Sequence, residues 1–243
     1  MQTKLISIPD LIKEGWELYT ENFSKYLIPI LIILGPYLLF YIAQIFLGPS
    51  AVILILALTA LIIFINIWGE IAIIQIVNKI YNHQPVDINN ILESSFQKIP
   101  SLVLIGLMLF VITMGGLILF IIPGIIFAIW YVFAQYINIL EEKNNKGLTA
   151  LKSSKELVKG RWSAIFWRIL LPNLFVIFFV FLITFGISFL IANGQDNPAD
   201  IQQSLLLNAI TSFILLLLIP LFASFNVILY NNLKASKKSA NIE

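Results

Sequence analysis

Six long apolar stretches constrain this chain more than any other feature. They cover residues 26–47, 51–77, 101–120, 124–140, 164–192 and 205–230. A helix needs about 20 apolar residues to cross the hydrocarbon core of a bilayer, and backbone amides in lipid must find partners within their own helix. Of all residues, 59% are hydrophobic and 12% are charged, against about 25% charged in soluble domains. The sequence therefore predicts an all-α integral membrane protein, a six-transmembrane-helix bundle that forms one polytopic domain over residues 1–243.

The positions of the basic residues predict how these spans are oriented. All fifteen lysines and arginines fall before the first span, between the second and third, between the fourth and fifth or just inside the fifth, or after the sixth. The turns on the opposite side contain none. Because basic residues accumulate on the cytoplasmic side of membrane proteins, we expect both termini in the cytoplasm.

Three segments on the predicted cytoplasmic side carry apolar residues at helical spacing, each directly before a pair of spans. These patterns predict interfacial amphipathic helices, two of them over 87–98 and 148–159, that lie near the membrane plane. Asp87 is the expected N-cap of the second. The chain then consists of three repeats of helix plus hairpin. The stripes are Leu11, Ile12, Trp16, Tyr19 and Phe23; Ile88, Ile91, Leu92, Ser95 and Ile99; and Leu148, Leu151, Val158 and Trp162.

The third of these segments is basic and is a candidate lipid contact. It carries Lys152, Lys155, Lys159 and Arg161, followed by Trp162. Basic residues near an anionic cytoplasmic leaflet each gain about 1 kcal/mol. The alternative is that these charges only set the topology.

Glu70 is the most informative polar residue inside a span. A carboxylate within the hydrocarbon is costly unless it is paired, hydrated or protonated. Asn66 lies one turn before it, and Arg168 enters the fifth span at a similar depth, so these three form a candidate polar intramembrane site. One interpretation is an ion or proton site that faces a cavity, and the other is a structural pair at the cytoplasmic interface. Arg168 has a second option, which is to reach a lipid phosphate.

Other polar residues inside the spans are expected to hydrogen-bond between helices. They are Gln44, Gln75, Gln135, Asn138, Asn173, Asn208 and Asn226.

The segment 116–167 carries a recognisable series of motifs, which are Ile122-Pro123-Gly124, Glu141-Glu142, Ser153-Ser154 and Gly160-Arg161-Trp162. It resembles the membrane domain that is fused to some bacterial glycerophosphodiester phosphodiesterases, and it is similar to the YciC-like family of stand-alone six-span bacterial membrane proteins. The resemblance implies a six-helix bundle in the bacterial cytoplasmic membrane, without an assigned activity. In the fused proteins the phosphodiesterase chemistry belongs to a separate soluble barrel, so that activity is not expected here.

The sequence contains few other residues that could carry catalytic or metal-binding chemistry. The chain has no cysteine, one histidine, and none of the zinc-protease, P-loop or nucleophile-elbow motifs. We therefore expect no enzyme, no cofactor, no metal and no nucleic-acid partner, with membrane lipids as the main contacts. Two functions stay open: a non-enzymatic scaffold or lipid-interacting domain at the cytoplasmic leaflet, or a small transporter or channel around Glu70. A third possibility, a membrane-embedded lipid enzyme, is supported by no sequence motif. The oligomeric state, and any membrane-bound or soluble protein partner, do not follow from the sequence.

Overall fold

The computed structural model describes residues 5–47, 51–141, 147–193 and 201–240. Over these residues the chain is 91% helical and contains no strand. The described helices are α1 (Ile8–Glu21), α2 (Phe23–Leu47), α3 (Val52–Tyr81), α4 (Ile88–Leu119), α5 (Ile121–Tyr131), α6 (Ala134–Leu140), α7 (Leu148–Val158), α8 (Trp162–Asn193) and α9 (Ile201–Ala240).

Six segments are long and apolar enough to cross a membrane: α2, α3, α4, the α5–α6 pair, α8 and α9. The prediction of a six-span, all-α membrane bundle is therefore confirmed. Helices α2 and α3, α4 and α5, and α8 and α9 pack as neighbouring pairs, while α9 also packs against α1, α2 and α3. At about 1.5 Å per residue the long α9 exceeds the thickness of the hydrocarbon.

The core lies toward one end of the bundle, where α1, α7 and the basic residues meet. We call it the basic end. Buried side chains concentrate there, in residues 71–77 of α3, 133–139 around α6 and 221–233 of α9. The other halves of the spanning helices expose large apolar side chains, most densely along residues 174–189 of α8. In a bilayer these side chains face lipid instead of water, so their exposure is favourable.

The start of α4 differs from the prediction of a separate interfacial helix over 87–98. Asp87 caps the helix as expected, with its carboxylate accepting a hydrogen bond from the Asn90 amide at 3.2 Å. The helix then continues through Pro100 into the third span without a break. The first turns of α4 pack on α3, where Gln75 donates to the buried Ser95 hydroxyl at 2.8 Å, so this segment is held against protein. The two other predicted segments do form separate helices, α1 and α7.

The apolar stripes of α1 and α7 are largely covered by protein. In α7 the side chains of Leu151 and Val158 are buried, whereas Leu148 is 65% exposed. In α1 Leu11 is fully buried, whereas Trp16 is 54% exposed. Helix α7 packs on α5 and α6, and α1 packs on α8 and α9. These helices therefore bury much of their apolar face against the bundle instead of against lipid.

The fourth span is interrupted, which the predicted continuous stretch 124–140 did not show. Helix α5 ends at Tyr131 and α6 starts at Ala134, so the backbone around Phe133 leaves the helical hydrogen-bond pattern. Ser154 of α7 supplies the missing partners: its hydroxyl accepts from the Phe133 amide at 3.2 Å and donates to the Trp130 carbonyl at 2.9 Å. A break inside a span is tolerated where protein groups satisfy the freed backbone atoms.

Two glycines explain the close turn between α4 and α5. A Cβ atom on Gly116 would lie 2.9 Å from the Cα of Gly124, and one on Gly124 would lie 2.9 Å from the amide nitrogen of Leu117. Side chains of Phe127 and Leu117 lie closer still, but these backbone atoms cannot move aside as a side chain can. The glycine in the Ile-Pro-Gly motif therefore permits the backbones of the second hairpin to touch.

Candidate functional site

Glu70 lines a cavity of about 310 Å³ between α3, α6 and α9. The carboxylate makes no hydrogen bond and no ion pair with any residue that the structure describes. The walls combine polar and apolar side chains, namely Asn66, Ile74, Gln135, Tyr136, Ile219, Phe222, Ala223 and Asn226. A carboxylate is thus placed inside a spanning helix, beside space that a small ligand or water can enter.

The amide side chains around Glu70 use their N–H groups elsewhere. Asn66 donates to the Tyr37 hydroxyl at 3.2 Å and to the Ile62 carbonyl at 2.8 Å, and Asn226 donates to the Phe222 carbonyl at 2.8 Å. The side chains of Asn226 and Gln135 also lie within hydrogen-bonding reach of the buried Tyr136 hydroxyl. Oxygen atoms of carboxylates and amides are the ligands that hard cations prefer. The cavity is therefore suited to a proton or a small cation, and poorly suited to an anion.

A second cavity, of about 300 Å³, borders Glu70 on the side of α4. Its other lining residues are apolar or glycine, apart from Gln135, which also lines the first cavity. Glu70 and Gln135 are therefore the two residues shared by both cavities. These two side chains thus lie between the two spaces.

The broken span helps to build this site. Gln135 and Tyr136 are among the first residues of α6, immediately after the break at Phe133. The break changes the direction in which residues of α6 project relative to α5, and Ser154 holds it in place. Discontinuous helices next to polar residues are a recurrent feature of substrate and ion sites in transporters.

Arg168 does not complete the predicted site. Its Nε atom donates to the Ile6 carbonyl at 2.7 Å and its Nη1 atom to the Ala164 carbonyl at 2.9 Å. It makes no ion pair with Glu70, although both residues lie in the described ranges, and it lines neither cavity. The structure does not bring the two residues together, because the segment before α1 runs alongside α8 and offers the guanidinium a backbone carbonyl.

The basic surface of α7 is present, but one of its predicted members faces inward. Lys152, Lys155 and Lys159 are exposed, and the Lys155 ammonium lies 4.2 Å from the centre of the Trp130 ring. Trp162 is 42% exposed. Arg161 instead donates to the Ser236 hydroxyl of α9 at 2.8 Å. Three lysines thus remain available to a membrane surface.

Sequence reasoning missed a polar cluster in which Lys98 of α4 contacts α3 and α6. Lys98, used only to orient the chain, donates to the Gln75 side chain at 3.0 Å and to the Ile139 carbonyl at 2.6 Å. Sequence reasoning also treated Gln135 and Asn226 as helix-to-helix contacts instead of lining residues of the Glu70 cavity. The available signal was their position, because polar side chains inside apolar runs are rare.

The helices and their lipid-facing apolar surface define a multi-pass integral membrane protein. No protein-family model, curated protein or solved structure matches the chain.

Proposed function

We propose that the protein is a small transporter or channel that binds a proton or a monovalent cation at Glu70. The observation that carries this proposal is the Glu70 carboxylate, which has no hydrogen-bond or ion-pair partner among the described residues, in a cavity also lined by the amide side chains of Asn66, Gln135 and Asn226. Ionisable residues inside spans are expensive and commonly mark ion or proton pathways. The interrupted fourth span beside Glu70 also supports the proposal over a purely structural role.

Cation binding can be tested by thermal unfolding of the purified protein in detergent. The melting temperature is measured in sodium chloride, potassium chloride and choline chloride at equal ionic strength. A cation that binds only the folded state stabilises it by RT ln(1 + [L]/Kd). We expect sodium or potassium to raise the melting temperature of the wild type and of Glu93→Gln, an exposed control on α4. Glu70→Gln should lose this response.

Equal melting temperatures in all three salts would contradict cation binding. Proton transport would then be the remaining form of the proposal. Proton movement is measured in proteoliposomes that contain a pH-sensitive dye, with a potassium gradient and valinomycin as the driving force. Wild type and Glu93→Gln should acidify or alkalinise the lumen faster than empty liposomes, and Glu70→Gln should not. A wild-type rate equal to that of empty liposomes, together with salt-independent melting, would refute the proposal.

A lipid-interacting domain or scaffold at the cytoplasmic leaflet is the second candidate. The three exposed lysines of α7 favour it, because each basic residue near an anionic surface gains about 1 kcal/mol. The test compares melting in nanodiscs of phosphatidylcholine and of phosphatidylglycerol. The anionic lipid should stabilise the wild type more than the variant with Lys152, Lys155 and Lys159 changed to Gln. An equal response of both proteins would argue that these lysines only set topology.

The cytoplasmic location of both termini, in a bacterial inner membrane, also belongs to this proposal. It is supported by contacts that bring the basic residues to one end, such as Lys237 to the Glu156 carbonyl and Lys234 to Glu141. In cells, a cysteine at Ala51 should react with an impermeant maleimide added outside, and a cysteine at Gln84 should react only after lysis. The reverse pattern would invert the orientation.

Kinship with the six-span family that the segment 116–167 resembles is likewise proposed. It is supported by the structural roles of two motif positions, Gly124 in the hairpin turn and Ser154 at the helix break. No enzymatic activity is proposed.

A further inference from the structure

An apolar groove of about 580 Å³ lies between α1 and the spanning helices α8 and α9. This α1 groove is lined by Trp16 and Tyr19 of α1, by Phe175, Phe179 and Val180 of α8, and by apolar side chains of α9 such as Leu217. The Tyr19 hydroxyl is occupied, since it donates to the Leu217 carbonyl at 3.1 Å. Apart from the Trp16 indole, the walls therefore offer no free polar side-chain atom, and a hydrocarbon chain fits better than a water-soluble ligand.

Trp16 of α1 indicates that the mouth of this groove lies at the level of lipid headgroups. The Trp16 side chain is 54% exposed at the rim. Tryptophan is enriched where the headgroups meet the hydrocarbon, because its ring is apolar and its N–H is polar. From that rim the groove runs between two spanning helices, as an acyl chain does when its headgroup stays at the interface.

A cationic group lies on the same face of α8, nearer the basic end. Arg168 precedes Phe175 by seven residues and Phe179 by eleven, which is two and three helical turns. Among the residues that the structure describes, only the carbonyls of Ile6 and Ala164 accept hydrogen bonds from its N–H groups. A guanidinium has five N–H donors, and its planar arrangement matches the oxygens of a phosphate.

We propose that the α1 groove holds one phospholipid from the adjoining leaflet, with an acyl chain between α1, α8 and α9 and its phosphate on Arg168. The apolar walls select the chain, and the N–H groups of Arg168 that have no partner among the described residues complement the headgroup. This site is separate from the Glu70 cavity and does not depend on ion transport. It differs also from the lysine surface of α7, because it retains a single lipid instead of attracting an anionic bilayer.

The test is native mass spectrometry of the full chain, released from nanodiscs of palmitoyl-oleoyl-phosphatidylglycerol. Val180→Phe fills the groove, and Leu182→Phe is the control, because Leu182 is 46% exposed and does not line it. Wild type and Leu182→Phe should carry one retained phospholipid per chain. Val180→Phe should lose it. Arg168→Gln should lower the ratio of lipid-bound to lipid-free protein about tenfold or more, because a charge-assisted hydrogen bond is lost.

Thermal melting of each variant keeps the comparison interpretable. If Val180→Phe does not fold, Arg168→Gln and its partial rescue by Arg168→Lys carry the test, since only a cationic side chain restores a phosphate contact. Equal lipid retention in all variants, or none in the wild type, would overturn the proposal. So would a wild-type dimer that Val180→Phe dissociates, since the groove would then hold a second copy of the chain.

Discussion

Replacing Ser154 with alanine should destabilise the protein by removing the partner of the break in the fourth span. The Ser154 and Phe133 side chains are both fully buried. The substitution leaves the Phe133 N–H without its hydrogen-bond acceptor, which costs about 1–3 kcal/mol for a buried unsatisfied group. It also removes the hydrogen bond from the hydroxyl to the Trp130 carbonyl, worth about 0.5–1.5 kcal/mol. We expect a loss in the free energy of unfolding of about 1.5–4.5 kcal/mol in all.

The neighbouring serine provides a matched control. Ser153 is half-buried on the same helix, and its hydroxyl makes no hydrogen bond with the residues that the structure describes. Ser153→Ala should therefore change stability by no more than about 0.5 kcal/mol. Unfolding is followed in detergent by thermal melting and in bicelles by denaturant titration. Equal stability of the two variants would refute the role of Ser154, and with it the account of how Gln135 is placed at the Glu70 cavity.

Three further predictions follow from the contacts described above. Gly160→Ala should lower the free energy of unfolding by about 1–2 kcal/mol, because the backbone there has a φ of +78°. The added Cβ would touch no other atom, so the loss would come from the backbone conformation alone. Gly35→Ala, at a helical position that is also in open space, should cause no loss. Burial raises the pKa of Glu14 above its usual 4.5, and two neighbouring carboxylates on α1 add to the effect. Glu14→Gln should therefore melt slightly higher than the wild type at pH 7. The difference should shrink as the pH falls through the raised folded pKa and vanish well below 4.5, where the carboxyl is neutral in both states; a difference that persists in acid would contradict this. Because they do not touch, Glu70→Gln and Arg168→Gln should combine additively within about 0.5 kcal/mol, and a larger coupling energy would mean that they interact.

The candidate site was predicted in part. Asn66 and Glu70 stood out because they are polar residues one turn apart inside an apolar run, and both line the same cavity. Gln135 and Asn226 come from spans four and six, and no local pattern links them to Glu70. Pairing of Glu70 with Arg168 was one of two possibilities, and the structure does not bring the two residues together. They were compared by depth alone, whereas pairing also requires that their helices touch.

The sequence alone determined the number of spans, their helical character and the segregation of basic residues, because lipid demands long apolar helices whose backbone bonds are internal. It also determined the cap at Asp87, since capping depends on neighbours within one turn. Only the tertiary structure decided that the fourth span breaks at Phe133, because the hydroxyl that satisfies the break comes from Ser154 on another helix. It likewise decided that α4 runs unbroken from Ile88 and that the Glu70 carboxylate faces a cavity. These features depend on which helix faces meet, and hydropathy along one chain does not specify that.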